Sequence, residues 1–386
     1  MFKSAKKFNT TAMSTLLIAT SLLSAGANAS FMDQFKDPVD GRLDASQWIL
    51  NNAHGFLPVP IVITEPAVGV GGGAALLFFH ENDEQKAIRE QNPNAVSGIP
   101  PSVTGVVGAA TNNGSKIAGV FHSGNWFNDN VRYLGGLFGA DLNLKYYADA
   151  DSSTAQQFGI KGLYFFQDID FRLAGSNFFL GAEYVNMSSE ANFNLDSGIP
   201  EIDNLALNSS DASVAVKLTY DSTDNQFAPR SGIKARVKAN MHHEKIGGDF
   251  NYQDYSAFIN SYHRLNKKWG LNWRVNAKST VGEAPFYAKP YLDMRGMAAM
   301  RYQADNTALG EVEITYDIDD RWTILGFAGT GKAVNNNQSF SDAKWQNAQG
   351  AGFRYLMARQ LGLRTGVDIA KGPEEWTVYL QVGGAW

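Results

Sequence analysis

The chain has 386 residues, 38 of them glycine and none cysteine, with 44% hydrophobic residues and a formal charge of −5. Without cysteine there is no disulfide framework, no thiolate chemistry and no cysteine-bearing metal site. The acidic balance argues against a nucleic-acid partner. A negative mean hydropathy decides nothing between a soluble chain and one that crosses a membrane as alternating strands, because such strands hide their lipid-facing half from any average.

Residues 1–29 read as a secretory signal peptide. Lys3, Lys6 and Lys7 give a positive start, Met13 to Ala25 a short apolar core, and Ala27-Asn28-Ala29 a small–x–small cleavage site. That core is shorter than the roughly 20 apolar residues of a spanning helix, and nothing after Ser30 is long and apolar enough to be one. Residues 30–57 form a leader, polar at first, in which Leu43 to Asn52 predicts one short amphipathic helix carrying Trp48, Ile49 and Leu50.

From residue 58 to 386, segments of about ten alternating residues are separated by Gly, Asn, Asp and Ser clusters. The pattern predicts strands at 58–64, 68–79, 102–111, 115–125, 131–146, 158–172, 177–187, 213–220, 231–242, 254–264, 269–280, 307–317, 322–332, 349–357, 361–370 and 375–384. In 231–240, Lys234, Arg236, Lys238 and Asn240 oppose Ile233, Ala235, Val237 and Ala239. In 269–278, Trp269, Leu271, Trp273, Val275 and Ala277 oppose Asn272, Arg274, Asn276 and Lys278. A charge facing lipid near the midplane costs about 2–4 kcal/mol, so these charges must line a lumen. Pro58, Pro60 and Pro66 fit poorly inside a ladder, which leaves the first two strands the least defined. The final segment puts Trp376, Val378, Leu380, Val382 and the terminal Trp386 on one greasy face and Thr377, Tyr379 and Gln381 on the other. A closed antiparallel transmembrane β-barrel of sixteen strands is the expected fold, because a soluble sheet would leave that face on an unprotected edge.

Barrels of this kind have short periplasmic turns. That places 188–212, 282–306 and 333–348 outside the cell, and Asp319-Asp320, Asn266-Lys267-Lys268 and Gln360-Leu361 in the periplasm. The linker 80–101 is long yet periplasmic by parity, so either it is atypical or one early strand is miscounted. Trp126, Trp269, Trp322 and Trp386 then fall at periplasmic strand ends, where amphipathic rings form an interfacial girdle.

Inward positions divide the wall by charge. Lys234, Arg236, Lys238, Arg274, Lys278, Arg354 and Arg364 face Glu311, Glu313 and Asp368 in the second half, while Asp141, Asp168, Asp170 and Glu183 face Lys145 and Arg172 in the first. Such a transverse field suits ion pairing across the lumen, and also an anion path. Enzyme chemistry finds no footing. His242-His243-Glu244 puts neighbours on opposite faces of a strand, and Ser256 and His263 stand about 23 Å apart at strand rise. No enzyme, cofactor or metal is expected.

Two motifs go beyond a generic barrel. Asp221-Ser-Thr-Asp-Asn-Gln-Phe-Ala-Pro-Arg-Ser-Gly232 precedes the ninth strand, and Tyr291-Leu-Asp-Met-Arg-Gly-Met297 lies in the long loop before the twelfth. With Glu313 in the twelfth strand, Phe327-Ala-Gly-Thr-Gly331 in the thirteenth and the aromatic terminus, the set resembles the BamA/TamA superfamily of bacterial surface antigens. That family has a D-x-x-D-N-x-x-x-P-x-x-G turn, a luminal V-R-G-F/Y loop and an F-x-(D/G)-x-G strand. Here Met294 and Met297 replace both flanks of Arg295-Gly296. The match is good over 213–386 and only rhythmic over 58–212.

The resemblance implies an outer-membrane barrel of a Gram-negative bacterium. It folds loop 282–306 inward so that Arg295, with Gly296, reaches Glu313 or a neighbouring acid as a lock, and it makes Phe327, Gly329 and Gly331 a motif of the barrel wall. It makes Trp376, Val378, Leu380, Val382 and Trp386 an insertion signal. It implies a role in outer-membrane biogenesis, inserting or transporting protein or lipid through the seam between first and last strands, where Gly383-Gly384 and Gly69 to Gly73 would weaken pairing. The stretch before residue 58 is too short for the family's POTRA domains, so a short member is expected. Expected partners are membrane lipid and lipopolysaccharide, the barrel-assembly machinery during insertion, and a periplasmic partner chain or a second copy. The competing readings are a passive anion-leaning channel and a structural or dimerising barrel with a closed lumen.

Overall fold

Period-two alternation resolves into sixteen antiparallel strands joined in chain order as one sheet. The computed structural model describes residues 34–51, 56–80, 87, 102–147, 155–194, 204–384 and 386. The segment 1–29, expected to be a signal peptide, lies outside them, as does most of the linker 80–101. A short helix α1 (Ser46–Asn51) precedes β1 (Phe56–Ile63) and β2 (Gly71–His80), which confirms the early strand count. Then come β3 (Ser102–Thr111), β4 (Lys116–Trp126), β5 (Val131–Tyr147), β6 (Ala155–Arg172), β7 (Phe178–Asn194) and β8 (Asn204–Asp221). The second half is β9 (Gly232–His242), β10 (Tyr252–Arg264), β11 (Trp269–Gly282), β12 (Asn306–Asp317), β13 (Trp322–Val334), β14 (Gln346–Ala358), β15 (Leu363–Lys371) and β16 (Trp376–Val382). Among the described residues no helix is long and apolar enough to cross a membrane.

Register separates the two faces. Val106, Val120 and Leu137 align across β3–β5 on the outside, whereas Lys238, Arg236 and Lys234 of β9 align with Lys217, Thr219 and Asp221 of β8 on the inside. The same register corrects one expectation. Asp141 pairs with Lys116 and shares the face of Leu137, so Asp141, and Lys145 four residues on, lie outside rather than in the lumen. Their height explains how: β5 to β8 run to 17 or 18 residues, well beyond the roughly 9–11 that span a bilayer. Above the lipid an outward charge meets water. The outward Ser188, Glu190, Asn208 and Ser210 hid the upper halves of β7 and β8 for the same reason.

Trp126, Trp269 and Trp322 face outward at periplasmic strand ends, against Tyr133 at 5.1 Å, Tyr316 at 4.8 Å and Tyr355 at 4.8 Å between ring centroids. Trp386 does not join them. β16 ends at Val382, Gly383 adopts a φ of 92°, and the tail turns into the lumen.

Candidate functional site

The loop 283–305 folds inward and crosses the lumen from the β11–β12 side to the β15–β16 hairpin. Its tip is held by charge. Arg295 donates to Glu313 at 2.8 Å, Asp368 at 3.0 Å and Glu311 at 3.3 Å, and its guanidinium lies 3.6 Å from the Phe327 ring centroid. Glu311 also takes Arg274 Nε at 2.5 Å, and Asp368 takes both Arg354 terminal nitrogens, at 2.6 and 2.8 Å. Three guanidinium groups thus balance three carboxylates. Glu313 was the partner expected of Arg295. Glu311 and Asp368 were legible only as wall acids, because their convergence depends on the inward turn of the loop.

Shape fixes the loop as firmly as charge. Gly296, at a φ of 90°, donates its N–H to the Tyr379 hydroxyl at 2.9 Å. Across from it, a Cβ on Gly372 would stand 1.8 Å from the Gly296 carbonyl oxygen. On β13, a Cβ on Gly329 would stand 2.5 Å from Met294 Sδ, and one on Gly331 would stand 2.9 Å from Leu292 Cδ2. The Phe-x-Gly-x-Gly pattern is therefore a seat for the loop. Leu292, Met294, Met297 and Tyr302 fill it as a buried cluster with Leu309, Ala333 and Ala348. Two further ties hold the ends: Arg301 and the Tyr302 hydroxyl on Glu374, and the Ala299 N–H on Glu65 at 3.0 Å. Burial raises the Glu65 carboxyl above its ordinary range.

The basic wall pairs mostly along the same stretch of wall, reaching over one or two intervening strands. Lys238 meets Glu183 at 2.9 Å, Arg236 approaches Asp170 at 3.8 Å, and Lys217 bridges Asp168 and Asp170. Lys278 lies 5.6 Å from the Tyr291 ring, and Arg364 donates to Thr323 at 2.9 Å. Arg172 closes on Asp129 in the β4–β5 turn. Lys234 and Arg274 border a luminal chamber of about 480 Å³ with Arg295, Tyr379, Gln381 and Trp386. His242 faces inward between Asp211 at 2.6 Å and Asp254 at 2.8 Å, with His243 capping a separate turn.

The periplasmic floor is made by the Asp221–Gly232 motif. Asp224 accepts the Arg230 and Ser231 amides, Asn225 accepts those of Phe227 and Ala228, and Gly232, at a φ of 101°, passes where a Cβ would stand 2.3 Å from the Ser222 carbonyl. The turn reaches across the barrel. Asn225 donates to Leu361 O at 3.2 Å, Arg230 meets Asp317 at 2.5 Å, and Phe227 O receives the Gly384 N–H at 2.7 Å. Behind this contact Trp386 lies inside, 6.3 Å from the Tyr262 ring and 5.7 Å from the Arg274 guanidinium.

The seam is the weak line in the wall. β1 and β16 lie side by side, yet the ladders run only from β1 round to β16, and no β1–β16 ladder forms among the described residues. The prolines supply the reason. Alternate residues of an antiparallel strand address opposite neighbours, so Pro58 and Pro60 lack N–H donors on one and the same edge. The ladder to β2 is continuous, and a proline is tolerated only on the free side of an edge strand. The Gly71 to Gly73 run sits one strand inside the seam, in β2, and Gly383-Gly384 lie beyond β16. The seam is weak through missing donors and a short last strand rather than through these glycines.

The leader closes the periplasmic end. Asp37, Asp40 and Asp44 surround Arg321, which is 1% exposed. Arg359 meets Asp37 at 2.5 Å and Arg42 meets Asp319 at 2.8 Å. The Trp322 and Arg321 amides hold Asp319 down at about 2. None of these partners was identified from the sequence. The one available signal is the run of acids at 37, 40 and 44 just ahead of the helix.

A family description, the Omp85 superfamily domain, matches residues 108–355. Among solved structures, the chain is similar to BamA from Haemophilus ducreyi lacking POTRA domains 1–3, with a TM-score of 0.56 and 13% identity over 93% of this chain and 82% of that one. It is also similar to CdiB from Escherichia coli, with a TM-score of 0.57 and 10% identity over 84% of this chain and 61% of that one. CdiB from Acinetobacter baumannii gives 0.52 and 10%, over 85% and 59%. No curated protein sequence matches the chain.

Proposed function

Because the chain belongs to the Omp85 superfamily and forms a barrel of the Gram-negative outer membrane, we propose that it acts in outer-membrane biogenesis by passing polypeptide laterally through the seam between β1 and β16. One observation carries this reading: two adjacent terminal strands without a ladder, one of them lacking the N–H groups of Pro58 and Pro60 on its outer edge. An incoming strand can enter here without any existing ladder being broken, and the free edge of β16, which carries no proline, is the side that offers it both donors and acceptors. The lumen suits this better than a free channel, because loop 283–305 crosses it and the Asp221–Gly232 turn and the tail lie across its floor. The reading assigns the barrel no enzymatic reaction; both ring nitrogens of His242 are already taken by carboxylates.

A photo-crosslinking residue placed at Val62 or Val378, the two sides of the seam, tests it in living cells. Val237 on the opposite wall serves as the control. Adducts with nascent outer-membrane polypeptide at the two seam positions and not at Val237 are expected. Lipid adducts alone, equal at all three sites, would reject polypeptide as the cargo.

A further inference from the structure

At its periplasmic end the seam has a notch. β16 pairs with β15 only as far as Thr365, because Gly383 turns the chain inward and donates its N–H to Arg364 O at 2.7 Å. Leu363 and Arg364 therefore have no β16 neighbour on the side that faces β1. The helix α1 occupies this space. Ala45 and Ile49 form one buried cluster with Ala358. Val59, Leu77 and Phe79 pack on it from the β1–β2 side, and Met357, Leu361 and Leu363 from the β14–β15 side.

The two sides are held by different forces. Toward β12–β15 the leader is bolted by charge and backbone: three carboxylates on Arg321, Asp37 on Arg359, Arg42 on Asp319, Ala45 N–H on Met357 O at 2.7 Å, and Tyr355 Oη on Leu43 O at 2.7 Å. Toward β1–β2 the contact is an apolar face. Apolar burial is non-directional and can be broken and remade without leaving an unpaired charge, whereas pulling Asp37 and Asp44 from a buried guanidinium leaves one behind.

From this asymmetry we propose that residues 34–51 are a latch across the seam, hinged on the β12–β15 side and releasable from β1–β2. The leader supplies the cohesion that the missing β1–β16 ladder does not, and its release leaves the β1 edge free. This rests on the seam being the working part of the barrel.

The chain has no cysteine, so spin labels at Val62→Cys and Val378→Cys report the seam distance alone, in the full-length protein in liposomes. The parent should give one short-distance population. Asp37→Asn/Asp40→Asn/Asp44→Asn, which cuts the hinge, and Ile49→Asp, which cuts only the apolar grip, should each add a longer one. In the first of these trypsin should also cut after Arg42. A synthetic peptide of residues 34–51 added to that variant should restore the short distance. An unchanged distance in Ile49→Asp, or in the triple variant once trypsin shows its leader released, overturns the latch. A leader that stays resistant in the triple variant overturns the hinge. Should the triple variant fail to give a heat-modifiable barrel, the Ile49→Asp distance decides. The measurement needs no client: an opening seam without client adducts would remove the proposed function and keep the latch, and the reverse result would do the opposite.

Discussion

Replacing Arg295 by alanine should loosen the luminal loop without preventing insertion of the barrel. The cost can be followed through the network. Glu311 keeps Arg274, and Asp368 keeps its bidentate Arg354. Glu313 alone loses its cation and is left with the Asn272 amide at 3.2 Å. Breaking one buried ion pair costs about 3–5 kcal/mol. The lower end, about 3 kcal/mol, applies here because two of the three acids remain paired and luminal water can enter the gap. Loss of the Phe327 contact acts in the same direction. Three kilocalories is roughly a hundredfold in an equilibrium constant, and it falls on the local opening of the loop, since the strand ladders do not pass through Arg295. The Gly296 amide is the reporter, because its bond to the Tyr379 hydroxyl exists only while the tip is seated.

Hydrogen exchange at Gly296 should therefore accelerate by about two orders of magnitude, while amides in β12 and β13 keep their protection. Arg295→Lys should fall between, because a point charge cannot address three acids as a planar fork does. Exchange at Gly296 within threefold of wild type would refute the reasoning: the loop would then be held by the apolar seat alone, and the charges around Arg295 would be energetically neutral.

Further outcomes follow from the same geometry. Gly372→Val should expel the loop tip, because even the first carbon of the side chain would stand 1.8 Å from the Gly296 carbonyl; new protease cuts at Lys289 or Arg301 would show it, and an intact loop would count against the seat. Arg359 lowers Asp37 and Arg321 lowers Asp40, so their stabilisation of the leader is fully present above the unfolded value of about 3.9 and is lost as pH falls through the lower folded values. Trypsin sensitivity cannot be read at such pH, so leader release should be followed by Trp48 fluorescence, constant from pH 7 to 5 and changing only below 4; a transition near neutrality would assign the anchor to other groups. Deleting Trp386 should reduce the heat-modifiable barrel in the outer membrane while export continues, since the ring packs beside Tyr262 and near Arg274 and Arg295. A normal yield of assembled barrel would show that the tail is dispensable.

The strands were legible because each residue of a thin wall meets one of two solvents, and a period of two follows wherever the two differ. Where both faces meet water, in the upper halves of β7 and β8, the period disappears although the ladder continues. The luminal lock was legible from the resemblance alone, since nothing local to Arg295 says that its loop turns inward. Trp386 has the parity of its strand by count, but a glycine at positive φ, Gly383, ends that parity three residues before it. The leader was the least legible part. Arg321 and Asp37 stand 284 residues apart, and no periodicity spans such a distance.

The methionines that flank Arg295 show how a departure from the family pattern can carry information of its own. Met294 and Met297 replace a valine and an aromatic ring, and both are buried against the small residues of β13 and β14. A β-branched side chain holds one shape, whereas methionine adapts to an irregular gap through its flexible, polarisable thioether. At Gly329 that gap is bounded on both sides, because a Cβ would also stand 2.4 Å from Glu311 Cγ. The thioether and the carboxylate stem therefore share the space a side chain at 329 would need, so the apolar seat and the charge node are one packing unit. A substitution at either flank should shift the ion pairs of Arg295 as well as the fit of the loop, and the energetic coupling between Met294 and Glu311 should be larger than their chemistry alone suggests.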